Sequence, residues 1–189
     1  MGTVRPVAST VPAAVLAACM VTVGSGAPAT VAAQAASPSA LKAAFLFNFA
    51  KFAEWPALAA DAPVRVCVAG DALVATALTD TLRGHSIEMH GLQAIQLTSE
   101  GSARDCQVLF VSATEARRVV ALLGDTNAGP VLTVSDADKF AESGGMVELF
   151  VEGGRMKFAI NVDAVQRSRI RLSSRLLGLA RIVRDPHGS

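Results

Sequence analysis

The sequence contains no tyrosine, one tryptophan and three histidines, and only 17% of its 189 residues are charged. Each shortage excludes something. The histidines are His85, His90 and His187. The first two flank an extended segment at a spacing that turns them to opposite faces, so no metal site is expected from them. No CxxC, HExxH or GxSxG pattern occurs. Gly70-Asp71 sits at a strand-to-helix turn but lacks the further glycines and the lysine of a phosphate loop. With no nucleophile, base or cofactor motif in view, the chain reads as a non-enzyme that needs no cofactor. The formal net charge is only +1, which gives no global electrostatic reason to seek nucleic acid. No apolar run is long enough for a stable transmembrane helix.

What is present begins with an export pattern. In residues 1–35 the only charged side chain is Arg5. An apolar stretch over 11–23 follows, and Ala33-Gln34-Ala35 fits a small-x-small cleavage site. The expectation is a cleaved signal peptide over 1–35 and a single mature domain over 36–189. Leu16-Ala17-Ala18-Cys19 offers an alternative, a lipobox that would anchor the protein by a lipid on Cys19. The apolar run continues past Cys19, which argues for plain cleavage. Export then leaves two cysteines, Cys67 and Cys106. In an oxidising compartment an isolated pair is either a disulfide or two buried thiols, and the disulfide is the better reading.

The mature chain, at 51% apolar residues overall, must fold around a core. Residues 36–40 read as a polar lead-in. Residues 41–55 hold five of the nine aromatics, Phe45, Phe47, Phe49, Phe52 and Trp55. Phe45, Phe49 and Phe52 stand at helical spacing, and Pro56 closes the element. From Val64 the pattern alternates. Strands are expected over 64–69, 87–97 (with Gly91 as a bulge), 106–111 and 131–134, and helices over 72–82, 114–123 and 136–142. The fold class is therefore α/β: one compact domain with a largely parallel sheet flanked by helices on both faces. A C-terminal antiparallel hairpin is attached to it.

That hairpin is the most strongly specified element. Gly153-Gly154 supplies a two-residue turn. It pairs Glu152 with Arg155, Val151 with Met156, Leu149 with Phe158 and Val147 with Ile160. One face is then wholly apolar, while the other carries Glu148, Phe150, Glu152, Arg155 and Lys157. A one-residue slip would destroy this sorting. Beyond it, Asn161 or Asp163 caps a helix through Ser168, residues 170–172 are extended, and Ser173 caps an amphipathic helix running to Val183.

The functional surface expected from these patterns is an interaction surface. Phe45, Phe52 and Trp55 on the first helix and Phe150 on the hairpin's outer face are apolar anchors of the kind that dominate interfaces. Eight basic residues fall between Arg155 and Arg184 against one acidic residue, Asp163. Arg171 and Arg175 are the candidates among them for meeting an acidic partner or anionic ligand.

Two long segments carry a family resemblance. KAAFLFNFAKFAEWP, residues 42–56, resembles the opening motif of the YfiR-like family of periplasmic proteins. FAESGGMVELF, GRMKFAINVDA and RLSSRLLGLARIV resemble its closing motif. The resemblance covers about 39–183. It implies a periplasmic α/β domain, often dimeric, that restrains an inner-membrane diguanylate cyclase by binding its periplasmic domain. Some members carry a second cysteine pair near the hairpin; residues 140–155 here have none, which leaves Cys67–Cys106 as a structural bridge. The family supplies no catalytic residues. The alternative function is a small-ligand-binding component of an envelope sensing or transport system, using strand ends and the basic face as a pocket.

Overall fold

The computed structural model describes residues 1–3, 36–56, 58–59, 61–98, 101–115 and 130–185. The chain divides after Gln34, and the architecture below is that of the unit Ala35–Ser189. The expected signal segment, Cys19, His187 and most of the helix expected over 114–123 lie outside the described residues.

An eight-stranded mixed sheet organises the domain. Its strands are β2 (Val64–Ala69), β3 (Ser86–Ile87), β4 (His90–Leu97), β5 (Val108–Val111), β6 (Leu132–Ser135), β7 (Val147–Glu152), β8 (Arg155–Asn161) and β10 (Arg181–Val183). Their order across the sheet is β10-β8-β7-β6-β5-β2-β4-β3. Only the β3–β4 and β7–β8 pairings are antiparallel, so the sheet is largely parallel, as the sequence pattern predicts. A separate two-stranded ladder joins β1 (Ala53–Glu54) to β9 (Arg171–Leu172).

The described helices cover one face. They are α1 (Pro38–Lys51), α2 (Ala72–Leu82), α3 (Val162–Arg167) and α4 (Ser174–Leu177). Leu46 and Phe49 of α1, Val74 and Leu78 of α2, Val165 of α3 and Leu176 of α4 join one apolar cluster. Its sheet side is formed by Val66, Phe110, Val134, Leu149 and Phe158. On the opposite face a smaller cluster holds Cys67, Ala69, Leu109 and Val111 against Ala103 and Cys106. The two cysteines are bridged, with Cα atoms 5.9 Å apart.

The hairpin has the predicted register, Glu152 opposite Arg155 through to Val147 opposite Ile160. Gly153 and Gly154 adopt φ of 59° and 73°, the left-handed pair that a tight two-residue turn requires. Its apolar face is buried at Val147, Leu149, Phe158 and Ile160, while Val151 near the tip is 68% exposed. The outer face departs from expectation at Glu148, which is buried. Its carboxylate accepts from Ala141 N at 3.2 Å, while Asn161 Nδ2 donates to Ala141 O at 2.8 Å. Thr133 Oγ1 likewise accepts from Met146 N at 3.2 Å. These side chains hold the turn segment before β7 against the sheet, which is why polar groups survive burial there.

Several expected boundaries are corrected. α1 starts at Pro38, inside the supposed lead-in, because Ser37 caps it by accepting from Ala40 N at 3.2 Å. It ends at Lys51 rather than at residue 55, because Ala53 and Glu54 leave the helix to pair with Leu172 and Arg171. Residues 87–97 are not one strand: β3 and β4 form a hairpin around Glu88 and Met89, and Gly91 pairs regularly with Ser86 instead of bulging. Cys106 precedes its strand, which begins at Val108. Residues 136–142 form hydrogen-bonded turns, not a helix. Lys139 takes φ of 59°, and the Asp136 carboxylate accepts from Ala113 N and Lys42 instead of from the backbone of a following helical turn. The long C-terminal helix is also absent. α4 stops at Leu177, and Arg181–Val183 forms β10 parallel to β8. The sheet edge supplies backbone partners that a helix continued past Gly178 would forgo.

Candidate partner-binding cleft

The first wall of the cleft is the stripe of α1 that carries Phe45 and Phe49. Phe45 and Phe49 are one turn apart with ring centroids at 6.0 Å. Phe158 reaches them from β8, at 5.7 Å from Phe45 and 5.2 Å from Phe49, both edge-to-face. The second wall is α4 and the turn after it: Arg175, the buried Leu176, and Leu179, which is 74% exposed. Phe52 closes one end. Together they enclose about 190 Å³ of mostly apolar space.

Phe52 also lines a second cavity of about 260 Å³ that continues past Trp55, Leu58 and Ile87. Trp55 is fixed there because its indole N–H donates to Gln107 O at 3.1 Å. Trp55 and Glu54 in turn line a third cavity, about 390 Å³, with Pro56, Arg169 and Arg171. Phe52 borders the first two spaces, and Glu54 and Trp55 border the second and third, so the three adjoin along the C-terminal end of α1. The β1–β9 ladder sets the geometry, with Glu54 opposite Arg171 in register and Ser173 N donating to Phe52 O at 2.9 Å.

The structure thus brings Phe45, Phe52 and Arg175 into one groove and places Trp55 and Arg171 in the adjoining cavity. It does not bring Phe150 to them. Phe150 lies on the opposite sheet face, where the Arg181 guanidinium covers its ring at 4.2 Å. Phe158, Leu179 and Arg169 complete the cleft and were not singled out. Phe158 looked like ordinary hairpin core, and Leu179 like one more apolar position of a long helix. Cys67 and Cys106 lie on the sheet face away from the cleft.

Ion pairs sort the remaining C-terminal cations. Arg167 pairs with Asp185, Arg184 with Asp163 at 3.3 Å, and Arg181 approaches Glu148 at 3.9 Å. The Asn161 amide, then Arg167, hold the Asp185 carboxyl below its ordinary value. Among the described residues no group of three or more His, Cys, Asp or Glu is placed to hold a metal ion.

The strand ends are occupied. Strand order reverses between β2 and β5, where α/β sheets often open a crevice. Here Thr114 Oγ1 donates to Gly70 O at 3.2 Å. The Glu115 side chain packs so closely on Gly70 that a Cβ there would lie 2.1 Å from its Cγ. Lys42 Nζ closes the same end by pairing with Asp136 at 2.6 Å and Asp71 at 3.6 Å.

These features define a class: an α/β domain with closed strand ends and an apolar, arginine-rimmed cleft on its helical face. The chain belongs to the YfiR/HmsC-like family, whose model matches residues 39–181. Among solved structures it is similar to a crystal structure titled a conserved domain protein, from Vibrio cholerae O1 biovar eltor str. N16961. The TM-score is 0.51 and the identity 14%, over 77% of this chain and 60% of that one. The likeness at that identity is one of fold, and this chain spans 60% of the other's length. A search of curated proteins finds no match.

Proposed function

We propose that this protein is exported to the periplasm and there binds the periplasmic domain of an inner-membrane diguanylate cyclase, holding it inactive. The observation that carries the reading is the family match over 39–181, which spans every cleft residue from Phe45 to Leu179. The cleft supplies what such a role needs: aromatic anchors beside exposed apolar and cationic side chains. The alternative, a small-ligand component with a pocket at the strand ends, meets there the packing of Thr114 and Glu115 and the Lys42 ion pairs.

Deleting the gene should raise cellular cyclic di-GMP and promote surface attachment. The rise should vanish when the cognate cyclase is deleted too. Co-purification against the periplasmic domains of the organism's membrane cyclases identifies which one. Flat cyclic di-GMP in the deletion strain, at rest and under envelope stress, would sink the reading.

A further inference from the structure

We infer that the Trp55–Arg169–Arg171 end of the cleft is a carboxylate-binding subsite, and that it receives an acidic segment of the partner domain while the Phe45–Phe52–Phe158 groove takes a neighbouring apolar side chain. The inference rests on the proposed function for the existence of a partner. It adds the chemistry by which that partner is recognised.

Three observations carry it. The first is which arginines are left without partners. Arg167, Arg181 and Arg184 each face an acidic side chain. Arg169, Arg171 and Arg175 make no ion pair with any described residue, and all three line the cleft. The hairpin-tip Arg155 also makes no ion pair with a described residue but lies off the cleft. An unpaired guanidinium beside an apolar wall is well suited to a bidentate carboxylate, and the low-dielectric wall strengthens that attraction.

The second is backbone strain. Arg169 follows α3 with φ of 62°, one of three non-glycine residues with positive φ among those described. That position after a helix is the one where glycine is favoured. An arginine there costs conformational energy that glycine would avoid, so the fold gives no reason for it. Strain of this kind clusters where a side chain is aimed at a ligand.

The third is adjacency. Phe52 borders both the aromatic groove and the middle cavity, and Trp55 borders both the middle cavity and the cationic end. An extended segment can therefore lay a carboxylate on Arg169 and Arg171 and an apolar side chain against Phe45 and Phe158. Glu54 opposes this locally: it lines the same end, in no ion pair with either arginine. It should weaken an acidic ligand, which makes it a test in the opposite direction.

The test is titration of the full-length mature protein with the cyclase periplasmic domain that co-purifies with it. Arg169→Gly should weaken binding by about tenfold while leaving the melting temperature unchanged or higher, since glycine suits that backbone. Arg171→Gln should weaken it similarly, Glu54→Gln should tighten it, and Arg155→Gln should leave it alone. Wild-type affinity should fall with salt more steeply than that of Arg169→Gly. If the domain binds but Arg169→Gly and Arg171→Gln match the wild type, the inference is overturned and the proposed function stands. Equal weakening by Arg155→Gln also overturns it, as that would reflect overall charge. If succinate alone binds with the same arginine dependence and the domain does not compete, the subsite belongs to a small anion and the inference fails. If no cyclase domain binds at all, the proposed function falls and this inference with it.

Discussion

Replacing both Cys67 and Cys106 by alanine tests how the face opposite the cleft is held. The bridge closes a loop with a sequence separation of 39 that contains α2, β3 and β4. In the chain-entropy model a loop of that length restricts the unfolded chain by about 4 kcal/mol. Both side chains are nearly fully buried in a small apolar cluster, so losing two sulfurs adds a packing cost. Alanine is the right replacement, because serine would bury hydroxyls without partners. At about 2–4 °C per kcal/mol for a domain of this size, the melting temperature should fall on the order of 10 °C. Denaturant titration separates the causes. If the bridge acts by restricting the unfolded chain, the variant's unfolded state is more expanded and its m-value should rise as its midpoint falls. An unchanged midpoint would refute the reasoning, and so would two free thiols found by labelling the unreduced, unfolded wild type.

The other predictions concern local elements. Phe158→Asp, which puts a carboxylate among Phe45 and Phe49, should abolish stable folding, whereas Lys157→Asp should shift the melting temperature slightly; equal losses would mean the hairpin register is wrong. The Asp185 carboxyl has a folded pKa lowered from 3.8, so its contribution is fully present above that value. It is lost as pH falls through the lower folded one. Asp185→Asn should accordingly flatten the acid limb of the stability–pH curve, and an unchanged limb would count against the pairing with Asn161 and Arg167. Intact mass of periplasmic protein should place the mature N-terminus near Ala36 without an acyl group, while a lipid-modified Cys19 would make it a lipoprotein.

The elements legible in the sequence were those specified locally. The β7–β8 hairpin carries its own turn and a two-residue period, so register follows from the residues themselves. The α1 helix was legible as aromatics at helical spacing, but not its C-terminal limit, which is set by β9 more than a hundred residues later. The stretch from Leu176 to Val183 fits a helix and a turn-then-strand almost equally. The decision falls to the free edge of β8, which no local pattern displays. Residues 136–142 failed for a related reason, since Asp136 makes its bonds to Ala113 and Lys42. The cleft divided the same way. Phe45, Phe52, Arg171 and Arg175 were visible as surplus aromatics and unbalanced charge, whereas Phe158, Leu179 and Arg169 enter it only through the topology.

That topology separates two tasks between the faces of one sheet. The disulfide and the buried Glu148 and Asn161 brace the face away from the cleft, through contacts that do not include α1 or α4. The apolar groove is assembled from the beginning and the end of the domain, α1 on one side and β8, α4 and Leu179 on the other, with the β1–β9 ladder linking them. The width of the Phe45–Leu179 groove therefore depends on how the two ends meet, whereas the middle cavity also draws Ile87, Glu88 and His90 from the loop that Cys67 and Cys106 close. Reduction of the bridge should lower the stability of the domain and leave the Phe45–Leu179 groove unchanged in the molecules that remain folded. A redox effect on partner binding that disappears well below the melting temperature of the reduced form would then arise from the fraction of protein folded, and one that persists there would arise in the middle cavity.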